Sequence, residues 1–375
     1  MGFSGKKMSR EWDGVVTEVE DVRYFAGYST LERQLTLLSD RIRISSYNAA
    51  ILGNADNFAG RVVLDVGCGT GILSAIAARA GAKKVYAVEA TDAVEFAKKL
   101  MVANNLDDVV TVYHNTVEKL ELPEKVDIIV SEFMGNFLLR ESVMDSVLFA
   151  RDKFLKSDGA MYPSHCKMFF APVYSERLAE DVWDTYHRNL KSWEVAAEVV
   201  FDLAGFDIKS LAGEYEDSLT TGLRSSFGVE VEPPEMLGPA VVVKEIDMLT
   251  TTFEDVKQVK KSFELKIDHC VDQKPPKLNM FAGWFSASFK GSPFAPSLVE
   301  VNCNNSPLNE DTHWGQEGFL VREPLDLTNV DKILCEIDMS RTEKNWRMYD
   351  VRVTHQTCST DGKLGPQLST LYTLC

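Results

Sequence analysis

Val62-Val63-Leu64-Asp65-Val66-Gly67-Cys68-Gly69-Thr70-Gly71 is the stretch from which this chain is best read. Residues 62–66 form a short apolar run, as a parallel strand covered on both faces requires. Glycines follow at once and let the backbone turn tightly and pass close to a ligand. An alanine-rich helical stretch over 72–80 comes next, with Gly81 as its stop. The free N–H groups at the start of such a helix point back at whatever the loop holds. A second apolar run, 85–88, leads into Glu89, 22 residues after Gly67, where an acidic side chain can take ribose hydroxyls.

The alternation continues outward with a helix over 92–104, where Asp92 is placed to cap or charge the first turn, and with strands over 109–113 and 126–130. This pattern predicts a Rossmann-like, doubly wound parallel sheet over 61–160. Before it, Leu31, Leu35, Leu38, Ile42 and Tyr47 recur at helical spacing, so residues 1–60 read as N-terminal helices. After it the period falls to two. Strands are expected at 167–171, 241–244, 281–289, 319–321, 333–337 and 349–353, which makes 161–375 an antiparallel barrel or sandwich. Leu178, Val182, Trp183, Tyr186, Leu190 and Trp193 break that pattern with an apolar stripe at helical spacing. A helical insertion at about 175–225 either packs on its own domain or reaches a second subunit.

Bulk properties narrow the function. A length of 375 residues suits two domains, and 45% hydrophobic with 26% charged residues suits a globular chain. No apolar run nears the ~20 residues of a membrane span, and the first ten residues have no signal-peptide core. Gly2 begins a myristoylation-like start, but Lys6 stands where that motif needs Ser or Thr. Seven scattered cysteines argue against a disulfide framework, and neither they nor the six histidines show metal-ligand spacing. No metal is therefore expected, and the location expected is cytoplasm, nucleus or both. A net charge of −16 either only keeps the chain in solution or also repels nucleic acid and draws in basic partners.

Two features carry chemistry. The glycine loop reads G-x-G-x-G after an Asp, with Ile72 where a dinucleotide fingerprint needs its third glycine, which disfavours a nicotinamide dehydrogenase. Glu132 stands just beyond the 126–130 strand, at the sheet edge where ligands bind, and Glu141 follows nine residues later across a glycine-containing turn. A glycosidase could use such a pair as acid and nucleophile, but that leaves the glycine loop unexplained. An arginine side chain explains it better: a planar, permanently charged fork of donors suits two carboxylates.

The run V-L-D-V-G-C-G-T-G resembles motif I of class I methyltransferases. Residues 131–142 look like the double-E loop of the protein arginine N-methyltransferase family, and Thr312-His313-Trp314 like its THW loop. Tyr24-Phe25-Ala26-Gly27-Tyr28 and Leu38-Ser39-Asp40-Arg41-Ile42-Arg43 extend the likeness over nearly the whole chain. The resemblance implies S-adenosyl-L-methionine as cofactor and S-adenosyl-L-homocysteine as product. It places Arg43 at the cofactor carboxylate and Asp65, Gly67 and Gly69 at the methionine part. Glu89 is placed at the ribose, and Val117 and Glu118 at the adenine. Tyr28 and Gln34 complete the cofactor contacts. Glu132 and Glu141 would grip the substrate guanidinium, with Met134 and Trp314 beside it, and His313 would pair with Asp40 and help proton release. Phe133, Gln34, Asn136, Leu37 and Val143 depart from the common pattern and put substrate choice and product type in question. The resemblance further implies Arg-Gly-rich protein substrates, a homodimer formed through the helical arm, and monomethyl then asymmetric dimethyl product. A monomethyl-only enzyme and a catalytically weak scaffold stay open beside it.

Overall fold

The computed structural model describes residues 15–268 and 277–374. The first ten residues, on which the signal-peptide and myristoylation readings fall, lie outside the described residues, as do Cys270 and Cys375. The five described cysteines are buried thiols.

Four helices open the described residues: α1 (Val15–Tyr28), α2 (Leu31–Ser39), α3 (Arg41–Leu52) and α4 (Ala55–Phe58). The break between α2 and α3 is a cap. The Asp40 carboxylate accepts the Arg43 N–H at 2.8 Å, which fixes where the new helix starts.

The expected parallel sheet follows: β1 (Val62–Val66), α5 (Ile72–Arg79), β2 (Lys84–Glu89), α6 (Val94–Ala103), β3 (Val110–His114), β4 (Val126–Ser131), α7 (Val143–Phe154) and β5 (Leu155–Tyr162). Its order is β3-β2-β1-β4-β5, and every pairing is parallel. The order reverses between β1 and β4, so the loops after these two strands diverge and leave a crevice. Val66 is the register partner of Ser131, which starts both loops at one level. The helix after β2 begins later than 92: Asp92 does not cap it. Ala93 takes that position, and the Thr91 hydroxyl accepts the Ala93 N–H at 3.2 Å.

The remainder is β6 (His165–Val173), α8 (Glu176–Ala204), α9 (Ala212–Gly222), β7 (Phe227–Val229), β8 (Val241–Asp247), α10 (Phe253–Lys257), β9 (Gln258–Lys266), β10 (Lys277–Gly291), β11 (Pro296–Asn304), β12 (Gln316–Asp326), β13 (Val330–Arg341), β14 (Tyr349–Ser359) and β15 (Leu364–Leu374). Two antiparallel sheets result. One runs β7-β12-β10-β6-β8 with β11 paired to β10; the other runs β15-β14-β13-β9. Phe170, Phe281, Phe285, Phe289 and Phe319 fill their interior. The Tyr372 hydroxyl donates to the Leu320 carbonyl at 2.6 Å and ties one sheet to the other. One hydrophobic core runs through both halves of the chain.

The helical insertion resolves into a hairpin. Ser175 caps the 29-residue α8, and left-handed Gly205 ends it. Leu178, at the start of the stripe, packs on the β domain, and Trp193 stacks on Tyr215 of α9 with centroids 4.8 Å apart. Beyond them Phe201, Leu203 and Phe206 stay 59%, 85% and 69% exposed.

A buried ion pair joins the two halves. Arg341 at the end of β13 grips Asp145 of α7 with both terminal nitrogens, at 2.8 and 3.0 Å. The side chains are 12% and 4% exposed. Removing one partner of such a pair leaves an uncompensated buried charge, at a cost of about 3–5 kcal/mol. Arg341→Met should lower unfolding free energy by about that amount in urea titrations. A loss within experimental error would show that the pair does not hold the halves together.

Candidate active site

A cavity of about 1950 Å³ opens where the strand order reverses, between the parallel sheet, the N-terminal helices and the β domain. Its floor is the glycine loop. Gly67, Gly69 and Gly71 hold φ of 72°, 53° and 81°, which side chains resist. At Gly67 a β-carbon would meet nothing within 4 Å, so it would stand in the cavity itself; at Gly69 it would come within 2.8 Å of the Gln34 amide oxygen. Glu89, at the end of β2, accepts the Gly69 and Thr91 N–H groups, both at 2.8 Å, so it both shapes the loop and lines the cavity. Val117 and Glu118 line the far end, where Glu118 accepts the Ser146 hydroxyl at 2.7 Å.

The opposite wall is the loop after β4. The Ser131 hydroxyl donates to the Val66 carbonyl at 2.7 Å and binds the two loops at their roots. Glu132 takes the Arg43 Nε at 3.0 Å and the Met134 N–H at 3.1 Å. The chain then folds back so closely that a β-carbon on Gly135 would lie 1.9 Å from the Arg140 carbonyl oxygen. Phe137, Leu138, Glu141 and Ser142 all have positive φ. Glu141 returns to the cavity, where it accepts the Tyr24 hydroxyl at 2.8 Å and the Tyr28 hydroxyl at 3.0 Å. Burial, reinforced by the charge on Glu141, raises both phenols well above their ordinary range, so they stay protonated donors.

The β domain supplies the third wall. Asp40 Oδ2 accepts the His313 backbone N–H at 2.9 Å and meets His313 Nδ1 at 2.6 Å. Burial raises the Asp40 carboxyl, but these bonds and the Arg43 N–H outweigh it, and the group lies below its ordinary value. The Trp314 indole donates to the Met134 carbonyl at 2.8 Å and pins the double-E loop from above.

Tyr28, Gln34, Arg43, Gly67, Gly69, Glu89, Val117, Glu118, Glu132, Met134, Glu141, His313 and Trp314 thus line one cavity. Two expected residues stand behind it. Asp40 is bonded to His313, which does line the cavity. Asp65 is 1% exposed beneath the loop, with Oδ2 on the Ser74 hydroxyl at 2.6 Å and Oδ1 without a partner. Sequence reading missed Trp346 and Arg347, which line the cavity from the turn between β13 and β14. No motif marks that turn, and it lies some 200 residues from the loop it touches. Asn136, one of the departures noted above, donates to Glu317 at 3.1 Å.

An open parallel sheet with a glycine loop after β1 and an acid at the end of β2 is the architecture of the class I methyltransferases. Residues 51–159 match the family described as ribosomal protein L11 methyltransferase, and residues 173–360 match the arginine methyltransferase oligomerization subdomain. Protein arginine N-methyltransferase PRMT10 of Oryza sativa subsp. japonica is 40% identical over 355 residues, covering 94% of this chain and 92% of that protein. PRMT10 of Arabidopsis thaliana is 36% identical, with 90% and 87% covered. The crystal structure of the Arabidopsis thaliana protein arginine methyltransferase 10, described as a uniquely open conformation, matches with a TM-score of 0.90 at 34% identity, over 94% of this chain and 100% of that one. The Trypanosoma brucei PRMT1 enzyme–prozyme heterotetrameric complex with AdoHcy matches with a TM-score of 0.77 at 25% identity, over 93% and 100%. The chain belongs to the protein arginine N-methyltransferase family.

Asp65 generates a pH prediction. Burial pushes its carboxyl up to about 7, far above the unfolded value. A folded pKa above the unfolded one means stability that is complete below the unfolded value and lost as pH rises through the folded one. Asp65→Asn keeps the shape without the titration. Its melting temperature should therefore fall less than the parent's between about pH 5 and about pH 8. Parallel pH profiles would mean that Asp65 is already ionised across this range.

Proposed function

We propose that the chain transfers methyl groups from S-adenosyl-L-methionine to arginine side-chain nitrogens of other proteins, giving monomethyl and then asymmetric dimethylarginine. The observation that carries this reading is the placement of Glu132 and Glu141 on one wall of the cavity whose floor is the glycine loop and Glu89. The division of labour follows the three segments of the chain. Helices in 1–60 close the cavity, 61–160 holds the cofactor, and 161–375 supplies the substrate surface and the arm.

The cofactor fits the floor. Gly67 leaves the space a β-carbon would fill, and Glu89 offers a braced carboxylate to ribose hydroxyls. Gly69 and Gln34 lie beside it, Asp65 supports the loop from beneath, and Val117 and Glu118 serve the adenine end. Arg43 is suited to the cofactor carboxylate, and its bond to Glu132 links that end to the acceptor wall. Bound S-adenosyl-L-methionine supplies an electrophilic sulfonium methyl.

The protein's own part is to hold and polarise the acceptor. Glu132 and Glu141 receive the N–H groups of a planar guanidinium and draw its charge toward the nitrogens they hold. The remaining terminal nitrogen keeps a more available lone pair, and placement does the rest. Tyr24 and Tyr28 keep Glu141 aimed; Met134 and Trp314 set the wall around the guanidinium. The Asp40 carboxylate accepts a hydrogen bond from His313 Nδ1–H, which fixes the tautomer whose Nε2 can accept the proton that the methylated nitrogen sheds. The charge of −16 favours basic, Arg-Gly-rich protein substrates.

Glu→Gln at position 132 or 141 keeps the shape and removes the charge. Methyl transfer to an Arg-Gly-rich peptide should fall by two or more orders of magnitude, on the order of several kcal/mol for an under-compensated buried cation, with cofactor binding retained. Glu95→Gln, on an exposed glutamate paired with Lys98, should turn over normally. Equal behaviour of all three variants would sink the proposed mechanism, and mass spectrometry of the parent's product separates mono- from asymmetric dimethylation.

The apolar residues left exposed near the end of α8 suit a head-to-tail homodimer, in which a two-fold ring buries both copies. Light scattering at micromolar concentration should give twice the 42.0 kDa chain mass. A fully active monomer would count against the arm as a dimer contact.

A further inference from the structure

Arg347 lies outside every motif of the site, yet it meets three parts of it at once. It is 8% exposed in the turn between β13 and β14. Its carbonyl accepts the Glu141 N–H at 2.8 Å, and its Nη1 donates to the Glu141 carbonyl at 2.8 Å. Both backbone polar groups of Glu141 are therefore taken by this one residue. Glu141 needs that hold, because its φ of 76° lies in the left-handed region that a side chain disfavours. The other edge of the guanidinium faces α1. Its Nε donates to Asp21 at 2.9 Å, and its Cζ lies over the Tyr24 ring, 3.8 Å from the centroid, and over the Trp346 ring, 4.2 Å from the centroid. Tyr24 in turn donates to the Glu141 carboxylate. The circuit closes: Arg347 holds the backbone of Glu141, and through α1 it holds the phenol that aims the side chain.

We propose that Arg347 is a positioning residue that couples closure of α1 over the cavity to the aim of Glu141. When α1 is seated, Asp21 fixes one edge of the guanidinium, and the other edge is presented to the Glu141 carbonyl. When α1 lifts, Glu141 loses the Tyr24 and Tyr28 hydroxyls together with the strut that orients Arg347. The acceptor wall is then complete only beneath a closed helix. Lysine is no equivalent, since one ammonium nitrogen cannot occupy both of the positions from which Nε reaches Asp21 and Nη1 reaches the Glu141 carbonyl.

The inference rests on the methyl-transfer reading for its kinetic arm and on the geometry for its other arm. The test uses the full chain, S-adenosyl-L-methionine and an Arg-Gly-rich peptide, with hydrogen exchange measured over α1. Arg347→Lys should lower kcat at saturation by about tenfold or more and speed exchange across α1. Asp21→Asn, which cuts only the helix side, should speed the same exchange and raise KM, with a kcat loss of less than about threefold. Because both cut one circuit, the double variant should exchange no faster than Arg347→Lys alone. A folded Arg347→Lys enzyme with the parent's kcat overturns the proposal. So does an Asp21→Asn enzyme with the parent's exchange and KM, and that comparison decides the matter if the Arg347 variant does not fold. If the unaltered chain fails to methylate the peptide, the functional reading fails instead, and the exchange rates still decide whether the coupling exists.

Discussion

Phe137, Leu138, Glu141 and Ser142 occupy a backbone region that side chains avoid, at about 1–3 kcal/mol each. A loop of that kind persists only where its surroundings leave it no alternative. Here Phe137, Leu138 and Leu139 are buried anchors, and Gly135 permits an approach to Arg140 that no β-carbon would allow. Trp314 pins the Met134 carbonyl, and the β13–β14 turn takes the Glu141 backbone and the Ser142 hydroxyl. The β domain is therefore part of the acid pair's geometry. Without it the parallel sheet would carry Glu132 at a strand end and leave Glu141 undirected.

The electrostatic arrangement follows from the same constraint. Two carboxylates facing one cavity repel each other unless each has its own compensation. Glu132 has a guanidinium, Arg43, at 3.0 Å and a backbone N–H; Glu141 has two phenols, with the Arg140 guanidinium further off at 3.7 Å. The partners differ in kind. A neutral hydroxyl stabilises a carboxylate without cancelling its charge, and the Arg140 guanidinium is more distant and more exposed than Arg43, so Glu141 is compensated more weakly than Glu132. Arg43 does cancel charge, and it also lies along the cavity toward the glycine loop, where a second carboxylate could share it. A glycosidase pair, set in a cavity without this floor, would have no use for such an arrangement.

Legibility in the sequence tracked how local each cause was. The β1 run, its glycines and Glu89 are determined within 30 residues, and the structure has them as read. The barrel strands with apolar alternation were legible for the same reason. The β5, β7, β9, β11 and β15 strands were not, because apolar residues and buried positions do not alternate together in them: β11 and β15 expose Leu298, Val299, Leu364, Leu368 and Leu371, β5 has a continuous buried half, β7 is three residues long, and β9 is held by β13 far along the chain. Asp92 looked like a cap by position, but Thr91 bonded first and moved the helix start. Within the site, the residues carried by motifs could be named, whereas Trp346 and Arg347 could not. Their role arises from a turn that meets the double-E loop only after the second sheet has formed.

The departures from the family pattern at positions 133 and 136 lie in the loop between the two acids. Phe133 is buried beneath the acid wall, while Asn136 lines the cavity and is tied to Glu317, whose carboxyl is raised by burial. An aromatic residue at position 136 would offer a flat apolar surface to the acceptor's methylene stem. An amide held by a buried acid offers a polar one instead. The change leaves Glu132, Glu141 and the glycine loop untouched and alters the polarity of the wall between the two acids. The acid pair and the polarity of the wall beside it are thus carried by different atoms of one loop. The backbone constraint that aims Glu141 is common to both, and side chains between the two acids are free to vary only insofar as they preserve it.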